Sequence, residues 1–470
     1  MKKTNRFLFI LLLIISLFLV TGCASNSETS TTITNTNKEE TTLSSETTKN
    51  SEISTTIKET PRFKEGYSPT TFSNVTYNSI DIVDGLTLYT YTVTKANGQI
   101  TVIQELEADL NKVNIVAGTK DNKSISFNYS KTTPYNAGVA YTNDTNKKVF
   151  ATLNADFFGS MCVNAFVKDG FIIKDSHNDN NNYDYRDTKS DVPASAPMLF
   201  GVKGNTAQVA PIKNYEGDIT LANIKRSLIR SKLTYLIESG IKTIETSDSF
   251  KIVNSTLYLA QNDMYAIVDV SKGAKEVEVL DLKIANAKET LNPLDEGKAY
   301  IYSSKDDDNG ISFLNRLSVG SKVKLSVKSE DGLWDNYDTI LGCRQALVIN
   351  GEIPETVKLE NTNGAQSGDI PRSAVGINVD GKVCIYAVES MYYGKKNTED
   401  DPHGCDINFL SEFMFYNNIV SGANFDGGGS TQLICNINST NTVIVRSSDT
   451  GSRELNSTRS VMNVIMVTEK

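Results

Sequence analysis

The polarity of the chain changes sharply before its first predicted strands. Lys2, Lys3 and Arg6 precede an apolar run over residues 7–20, and residues 24–60 are then about half serine and threonine with no apolar periodicity. A basic stretch followed by an apolar run is typical of a signal peptide. The run over residues 7–20 is short for a membrane-spanning helix, which needs roughly twenty apolar residues. Residues 24–60 have too few apolar side chains to offset the entropy cost of ordering. They are predicted to form a disordered stalk.

Alternating apolar and polar positions begin at residue 81. Asp81–Val93 alternates and is rich in β-branched and aromatic residues, and Asn97-Gly98 then supplies a tight turn into Gln99–Leu106. This pattern predicts two strands of a hairpin, and Lys112–Ala117 is the predicted third strand. Residues 61–149 are therefore expected to form a β-rich N-terminal region.

The middle of the chain, about residues 205–330, mixes short patterns. Three predicted strands lie at Thr256–Ala260, Met264–Val270 and Lys322–Val327, and Leu221–Glu238 has a helix-like pattern. The basic side chains of this last stretch favour a solvated helix face over a phosphate site.

The C-terminal third gives clearer signals. Arg372–Val379 and Lys382–Val388 are predicted to pair as a hairpin joined at Asp380-Gly381. Asp406 is a predicted N-cap for a helix with apolar positions on one face, namely Ile407, Leu410, Phe413 and Met414. The order of hairpin, helix and strand predicts the fold class α+β, with β-rich mixed sheets and a few helices.

Charge and composition exclude several classes of function. The 470 residues include 47 Lys+Arg against 56 Asp+Glu, and this mild excess of acid argues against a nucleic-acid partner. The two histidines, His177 and His403, rule out chemistries that need several. Lys305–Gly310 is rich in aspartate but lacks the spacing of a calcium loop, so a surface turn is favoured. No cofactor is expected, and no ligand spacing supports a divalent cation.

Cysteine usage follows from the predicted export. Cys23 stands directly after the apolar run, in Val20-Thr21-Gly22-Cys23, and this resembles the lipobox of bacterial lipoproteins. The resemblance implies lipidation of Cys23 and an exported, membrane-anchored protein whose signal peptide is residues 1–23. The other five cysteines are an odd number, which in an oxidising compartment allows at most two bridges and one free thiol. The sequence does not choose among the pairings.

Three short motifs carry candidate chemistry. They are Asn154-Ala-Asp156-Phe-Phe158, Pro371-Arg372-Ser-Ala-Val-Gly376 and Asn424-Phe-Asp426-Gly427-Gly428-Gly429-Ser430-Thr431. Successive glycines are kept where the backbone approaches a partner closely, and their N–H groups can form an anion-binding turn. Arginine is suited to bidentate binding of phosphate, and a carboxylate at a strand end can act as base or nucleophile.

At these motifs the chain resembles the phosphodiester glycosidase family. An N-x-x-F-F corner, a P-R-[ST]-A-[IV]-G strand and an N-[LF]-D-G-G-G-[ST] corner occur in the family's order, and a helix precedes the last. The resemblance spans residues 150–470 with a divergent middle, about 205–330. It implies a cleft whose candidate residues are Asn154, Asp156, Arg372, Asn424, Asp426, Gly427, Gly428, Gly429, Ser430 and Thr431.

Two segments depart from the family's pattern. Glu389-Ser390-Met391 stands where the family often has Asp-Gly-Arg, so Glu389 is the replacement for the acid. Leu341-Gly342-Cys343-Arg344 stands where a Gly-Gly-x-Pro turn is usual, so Arg344 is the replacement for the lost base.

The resemblance implies a surface-tethered hydrolase that cleaves the glycosidic bond of sugar 1-phosphodiesters in cell-surface glycans. Phosphate contacts are expected from Arg372 and the glycine turn. Asp426 is the first choice for nucleophile or base, with Glu389 or Asp156 second. The alternative is a non-catalytic lipoprotein that binds glycans or assists exopolysaccharide assembly, and turnover of a sugar 1-phosphodiester distinguishes the two.

Overall fold

The computed structural model describes residues 63–122, 130–159, 161–174, 198–211, 233–329, 332–354, 357, 368–390 and 402–470. The predicted signal peptide, Cys23 and the stalk lie outside these residues, as does Met391. Within the described residues the protein is β-rich, with several antiparallel sheets and three helices. No helix in those residues is long and apolar enough to cross a membrane.

The strands of the first half of the chain are β1 Phe72–Val83, β2 Leu86–Lys95, β3 Ile100–Ala108, β4 Val113–Gly118, β5 Val149–Asn154, β6 Phe166–Lys168, β7 Phe171–Lys174, β8 Met198–Lys203, β9 Thr206–Pro211, β10 Thr234–Glu238, β11 Thr243–Glu245, β12 Phe250–Val253 and β13 Leu257–Leu259. The later strands are β14 Met264–Asp269, β15 Val277–Ile284, β16 Glu289–Leu291, β17 Lys298–Ser303, β18 Lys322–Lys328, β19 Thr339–Gly342, β20 Ala346–Val348, β21 Arg372–Asn378, β22 Val383–Val388, β23 Ile419–Asn424, β24 Leu433–Ile437, β25 Thr440–Val445 and β26 Val464–Glu469. The helices are α1 Pro134–Thr145, α2 Asp308–Leu314 and α3 Ile407–Tyr416.

Two sheets carry the three motifs. The sheet that we call the motif sheet has the strand order β1-β2-β3-β22-β21-β23-β20, and it holds the second motif on β21 and the start of the third on β23. The closing sheet has the order β25-β24-β5-β26-β4, and the first motif begins at the end of β5. The opening strands β1–β3 are thus continuous with the hairpin of β21 and β22. The two sheets bring together motifs that lie far apart in the sequence.

The remaining strands form three further sheets. A five-stranded sheet has the order β7-β6-β19-β8-β9, a seven-stranded sheet has the order β11-β10-β18-β15-β14-β17-β12, and β13 pairs with β16. Every strand pair in the described residues is antiparallel, so the prediction of mixed sheets is wrong. Short hairpin connections account for many of these pairs, because a tight turn can only join antiparallel strands.

The core lies on both faces of the motif sheet. One face packs against the closing sheet, with Leu106, Val375 and Ile385 in the same apolar cluster as Leu153 and Ile465. The other face is covered by α3, which places apolar side chains on it: Ile407, Leu410, Phe413 and Met414, as its sequence pattern predicts. Alternation along a strand sends successive side chains to opposite faces. Neighbouring residues of β21 therefore face different surroundings.

Local capping and turn predictions are confirmed at the C-terminal elements. The Asp406 carboxylate accepts a hydrogen bond from the Phe409 N–H at 2.7 Å and begins α3. Gly381 has φ 75° in the turn between β21 and β22. The Asp-rich turn also caps a helix, because the Asp307 carboxylate accepts from the Gly310 N–H at 2.8 Å.

Two predicted elements are corrected. Asp81–Val93 is not one strand, because the chain turns at Asp84-Gly85, where Gly85 has φ 87°, and β1 and β2 pair across the turn. The predicted helix over Leu221–Glu238 is wrong at its end, since residues 234–238 form β10 between β11 and β18. Alternating burial along β10 explains the strand. Residues 221–232 lie outside the described part of the chain.

Candidate active site

The first and third motifs meet where β5 and β23 end. The Asn154 Nδ2 donates to the main-chain carbonyl of Asp426 at 2.7 Å, and the Asp426 N–H donates to the Ala155 carbonyl at 2.9 Å. The second motif joins them, because the Ser373 hydroxyl donates to Asn154 Oδ1 at 2.8 Å and its carbonyl accepts from the Phe425 N–H at 2.8 Å. The structure thus brings all three motifs to one place.

Asp156 lies buried at this junction, with 1 % of its surface exposed. Its two carboxylate oxygens accept from the Asn164 N–H at 2.9 Å and from Asn164 Nδ2 at 3.1 Å. Burial raises the pKa of Asp156 to about 7, and the negative charge of Asp426 also raises it. The two hydrogen bonds from Asn164 lower this pKa and offset part of the effect of burial. A Cβ at Gly342 would lie 2.6 Å from Asp156 Oδ2. Any larger residue at position 342 would therefore clash with this carboxylate.

Asp426 is the more exposed of the two carboxyl groups. It belongs to a half-buried stretch with Gly427 and Gly428. Desolvation raises its pKa to about 6, while the charges of two arginines, Arg459 and Arg344, hold it lower than burial alone would. Two carboxyl groups with raised pKa values at one site are a candidate for acid–base chemistry near neutral pH.

The glycine turn is tightly packed and uses most of its own N–H groups. The Gly428 N–H donates to the Pro371 carbonyl at 2.8 Å, and those of Ser430 and Thr431 donate back to Gly427 and Gly428 at 3.3 and 3.2 Å. Gly428 has φ 60°, a left-handed conformation that favours glycine. At Gly429 an added Cβ would overlap the Asp449 carboxylate. The turn therefore depends on glycine for its own conformation and for its contact with Asp449.

Arg372 lies beside this turn but its guanidinium binds elsewhere. The residue is 2 % exposed, its Nε donates to the Cys405 carbonyl at 2.9 Å, and its Nη2 donates to the Gly368 carbonyl at 3.1 Å. Its neighbour Ser373 bonds Asn154, so the two side chains leave β21 on opposite faces. The structure places Arg372 on the α3 side of the motif sheet.

Glu389 follows β22 and is bound by two arginines. Its carboxylate contacts Arg446 Nε at 2.9 Å and Arg453 Nη2 at 2.9 and 3.0 Å. Its side chain is 8 % exposed. These contacts connect the end of β22 with the residues that follow β25.

The remaining predicted residues hold the junction together. The Asn424 Nδ2 donates to Gln345 Oε1 at 3.0 Å, and its carbonyl accepts from the Arg344 N–H at 2.9 Å. The Thr431 and Ser373 hydroxyl oxygens lie 3.1 Å apart, within hydrogen-bond distance. Asn424 and Thr431 are buried, so in this structure both contact protein groups.

Arg459 is a residue that sequence reasoning missed. Its guanidinium lies 5.7 Å from the centre of the Phe158 ring and forms an ion pair with Asp449 at 2.6 Å. Arg344 lies in the same way 5.6 Å from the Phe157 ring. Arg459 stands shortly before β26, which pairs with β5 so that Val464 is opposite Asn154. A cation shortly before the apolar residues of β26 was the available signal.

Other clusters in the described residues have structural partners. Glu105, Glu107 and Cys384 lie close enough to hold a metal ion. However, the Glu105 carboxylate accepts from Tyr91, Tyr386 and Asn417, and that of Glu107 binds Lys382 and Asn378: the contacts range from 2.6 to 3.2 Å. These hydrogen bonds explain the buried acids without an ion. The five cysteines after Cys23 are buried and unbridged.

A cavity of about 400 Å³ lies apart from the carboxyl pair, between α1 and the closing sheet. Tyr135, Lys148, Phe150 and Asn436 are among its lining residues, whereas Asn154, Asp156 and Asp426 are not. It therefore belongs to the other end of β5.

The fold and the site define an antiparallel β protein with two carboxyl groups and two arginines at the junction of two sheets. Residues 270–468 match the family model described as phosphodiester glycosidase, and this match confirms the resemblance that the motifs predicted. The second and third motifs lie inside the matched range, and the first lies outside it. A search of the curated proteins gave no match.

Three solved structures are similar to the chain at low identity. A hypothetical protein from Synechocystis is 13 % identical with a TM-score of 0.47, and the match covers 84 % of this chain but 64 % of that one. A putative exported protein from Burkholderia pseudomallei is 11 % identical with a TM-score of 0.41, over 79 % and 74 % of the two chains. The catalytic domain of zebrafish N-acetylglucosamine-1-phosphodiester alpha-N-acetylglucosaminidase, auto-inhibited by its pro-peptide, is 13 % identical with a TM-score of 0.39, over 87 % and 86 %.

Proposed function

We propose that this protein is a hydrolase that cleaves the glycosidic bond of sugar 1-phosphodiesters. The observation that carries the proposal is the carboxyl pair, in which half-buried Asp426 lies near buried Asp156 and both have raised pKa values. The family match of residues 270–468 supports the same class of reaction.

The bond to be broken explains why one accessible carboxylate is sufficient. When the bond between C1 and its oxygen breaks, the phosphate leaves as a monoester with the bonding electron pair, and this anion is a good leaving group at neutral pH. Strong protonation of the leaving oxygen is therefore less necessary than in ordinary glycoside hydrolysis. Water adds its oxygen to C1, directly or after a covalent intermediate, and its proton passes to a base.

Asp426 is the group best placed for that base or nucleophile. It is half-buried and hence more accessible than Asp156, and cations hold its pKa below the value that burial alone would give. Asp156 is the second carboxyl group, and the charge of Asp426 contributes to raising its pKa, so that Asp156 keeps its proton at a higher pH than Asp426 does. We assign Asn154 and Asn424 to holding the two strand ends in register, since their amides contact Asp426 and Gln345.

We also propose where the enzyme works. Lipidation at Cys23, export, and a disordered stalk would hold the catalytic residues outside the cytoplasm on a membrane. The substrate class is then a phosphodiester-linked glycan of the cell surface. The Cys23 pattern and the composition of residues 24–60 support this.

The test is turnover by the full-length protein in detergent. We expect release of free sugar and phosphate monoester from sugar 1-phosphodiesters, and a loss of at least about 100-fold in Asp426→Asn. Asp295→Asn, at an exposed aspartate of the middle region, is the matched control and should keep full activity. Binding of the glycan without release by the wild-type protein would instead identify the alternative, a non-catalytic glycan-binding or assembly lipoprotein.

A further inference from the structure

The cavity of about 400 Å³ lies beside α1, over the outer strands of the closing sheet. The helix covers this sheet at β26, where Ala137 belongs to the same apolar cluster as Val464 and Met466. The strands β24 and β25 lie on the other side of β5 from β26. Lining residues come from α1, β5, β24 and β25, so the cavity fills the angle between the helix and the two outer strands. Its volume is within the range of small-molecule sites, about 300–1,000 Å³.

One face of α1 forms a wall of the cavity. The lining residues of the helix are three and four positions apart and therefore lie on one side of it: Tyr135, Gly138, Val139, Thr142 and Asn143. Gly138 lies so close to β5 that an added Cβ would be 3.3 Å from Thr152 Cγ2. Val139 is 38 % exposed. The cavity thus extends from solvent at Val139 to a buried strand at Thr152.

The lining combines aromatic rings with hydrogen-bonding groups. Tyr135 and Phe150 are both half-buried and line the cavity. Asn436 Nδ2 donates to Asn441 Oδ1 at 3.0 Å, which holds these two lining amides in one orientation. Aromatic rings pack against the C–H groups of a sugar, and amides bond its hydroxyl groups. This composition therefore suits a sugar unit better than a purely apolar ligand.

The Thr152 side chain supplies a second polar signal in the cavity lining. Thr152 is 4 % exposed, and its hydroxyl has no hydrogen-bond partner among the residues that the structure describes. Proteins pair nearly all buried hydroxyl groups, because an unpaired one lowers stability. A ligand with hydroxyl groups supplies the partner that this side chain lacks.

The charge of the lining favours an anionic ligand. Lys148 lines the cavity and is exposed, and no carboxylate of the described residues is part of the lining. The nearby Glu469 carboxylate accepts from the main-chain N–H of Lys148 at 3.3 Å. Lysine binds phosphate as a compact positive charge.

We propose that this cavity binds a phosphate-bearing sugar unit of the same glycan that the carboxyl pair cleaves. The inference rests on the proposed function for the identity of the glycan. The two sites share β5, because Phe150 lines the cavity and Asn154 holds Asp426. About 13 Å of strand separates Phe150 from Asn154, since a strand rises about 3.3 Å per residue. A polymer of several units reaches both sites, whereas a single sugar 1-phosphodiester reaches only one.

The first experiment measures binding of glucose 6-phosphate and of glucose to the full-length protein in detergent by calorimetry. We expect Lys148→Gln to raise the dissociation constant of glucose 6-phosphate about fivefold and to leave that of glucose unchanged. Val139→Trp places a large ring at the exposed side of the cavity and should abolish binding of both. Lys147→Gln removes a neighbouring lysine that does not line the cavity and is the matched control, which should bind as the wild type does.

Two outcomes of this experiment would overturn the proposal. One is the absence of glucose 6-phosphate binding by the wild type, and the other is equal binding by the wild type and both cavity variants. Lys148 is exposed, so Lys148→Gln should fold normally and keeps the test decisive if Val139→Trp does not fold.

The second experiment measures kcat and KM for a polymer of sugars joined by phosphodiesters and for a single sugar 1-phosphodiester. Lys148→Gln and Val139→Trp should raise KM for the polymer about fivefold or more at unchanged kcat, and should leave both constants unchanged for the single unit. Equal changes for the two substrates would refute the role of the cavity in binding the polymer while leaving the hydrolase function intact. Binding of glucose 6-phosphate that depends on Lys148, in a protein that hydrolyses neither substrate, would support the sugar phosphate site and refute the proposed function.

Discussion

Asn154 Nδ2 donates to the main-chain carbonyl of Asp426 at 2.7 Å, and this single hydrogen bond joins two residues 272 positions apart. The other end of the Asn154 amide accepts from the Ser373 hydroxyl at 2.8 Å and from the Gln432 N–H at 3.3 Å. One buried side chain thus connects β5, β21 and both sides of the glycine turn. It fixes the position of the carboxylate that we assign to catalysis.

Replacement of Asn154 by alanine should therefore destabilise the fold. The Asp426 carbonyl and the Gln432 N–H would lose a partner, whereas the Ser373 hydroxyl keeps Thr431, and each unsatisfied group costs about 1–3 kcal/mol. We expect a loss of about 2–4 kcal/mol in the free energy of unfolding, measured by urea denaturation. Asn436→Ala, which removes an exposed amide that bonds Asn441, should change it by less than about 0.5 kcal/mol. Equal stabilities of the two variants would contradict the linking role of Asn154.

The activity should depend on the ionisation of Asp426. Its pKa is about 6, and the carboxylate is needed as base or nucleophile, so kcat/KM is expected to rise with pH through about 6. Because the charge of Arg459 lowers this pKa, the midpoint should move to higher pH in Arg459→Gln. A pH–rate profile checks both expectations. A midpoint that is the same in the variant and the wild type would show that Arg459 does not act on the titrating group.

Stability should fall as pH rises because of Asp156. Its pKa is raised from 3.8 to about 7 on folding, so between about pH 4 and 7 the folded state binds more protons than the unfolded chain. Stability is then lost as pH rises through this window, by up to about 4 kcal/mol. Asp156→Asn should show a flatter dependence in denaturation at pH 5 and pH 8, whereas Asp295→Asn should keep the wild-type slope. A wild-type stability that rises over this range would exclude the effect.

The contact between Gly429 and Asp449 should make Gly429 sensitive to a single methyl group. An alanine Cβ there would overlap the Asp449 carboxylate, and overpacking of this kind costs about 1–3 kcal/mol. Gly429→Ala combined with Asp449→Ala should recover part of that loss, as measured by thermal unfolding. Gly428→Ala is the comparison, because nothing lies near its Cβ and only its φ of 60° opposes the change. No recovery in the double variant would show that another contact is responsible.

Glu389 should matter for stability more than for turnover. Its carboxylate binds Arg446 and Arg453, and Glu389→Gln would leave two guanidinium groups without their counter-ion. We expect a loss of about 2–3 kcal/mol in unfolding free energy, below the cost of breaking a fully buried pair because Arg453 is half exposed. Activity per folded molecule should fall less than about tenfold. A loss of activity of 100-fold or more at unchanged stability would identify Glu389 as a catalytic residue, the role that the family resemblance predicts for it as second choice after Asp426.

Local sequence signals were sufficient to predict an element correctly where its conformation depends on its own residues. The turn at Asp380-Gly381 and the Asp406 cap form as predicted, because a positive φ at Gly381 and a carboxylate at the N-terminus of α3 need few distant partners. The helix-like pattern that ends at residue 238 gave a wrong prediction for residues 234–238, because these residues form β10 by pairing with β11 and β18. Pairing between distant segments overrides such a weak local preference.

The sequence alone identified the three motifs, the family resemblance and the candidates Asp156, Asp426 and Arg372. Only the tertiary structure decided which of these groups lie together, because the direction of a side chain depends on the face of the sheet from which it leaves. Arg372 leaves β21 towards α3, whereas Arg459, from a segment 33 residues after Asp426, lies against Phe158 at the carboxyl pair. Burial then sets the pKa values of the two acids, and burial is a property of the packed sheets.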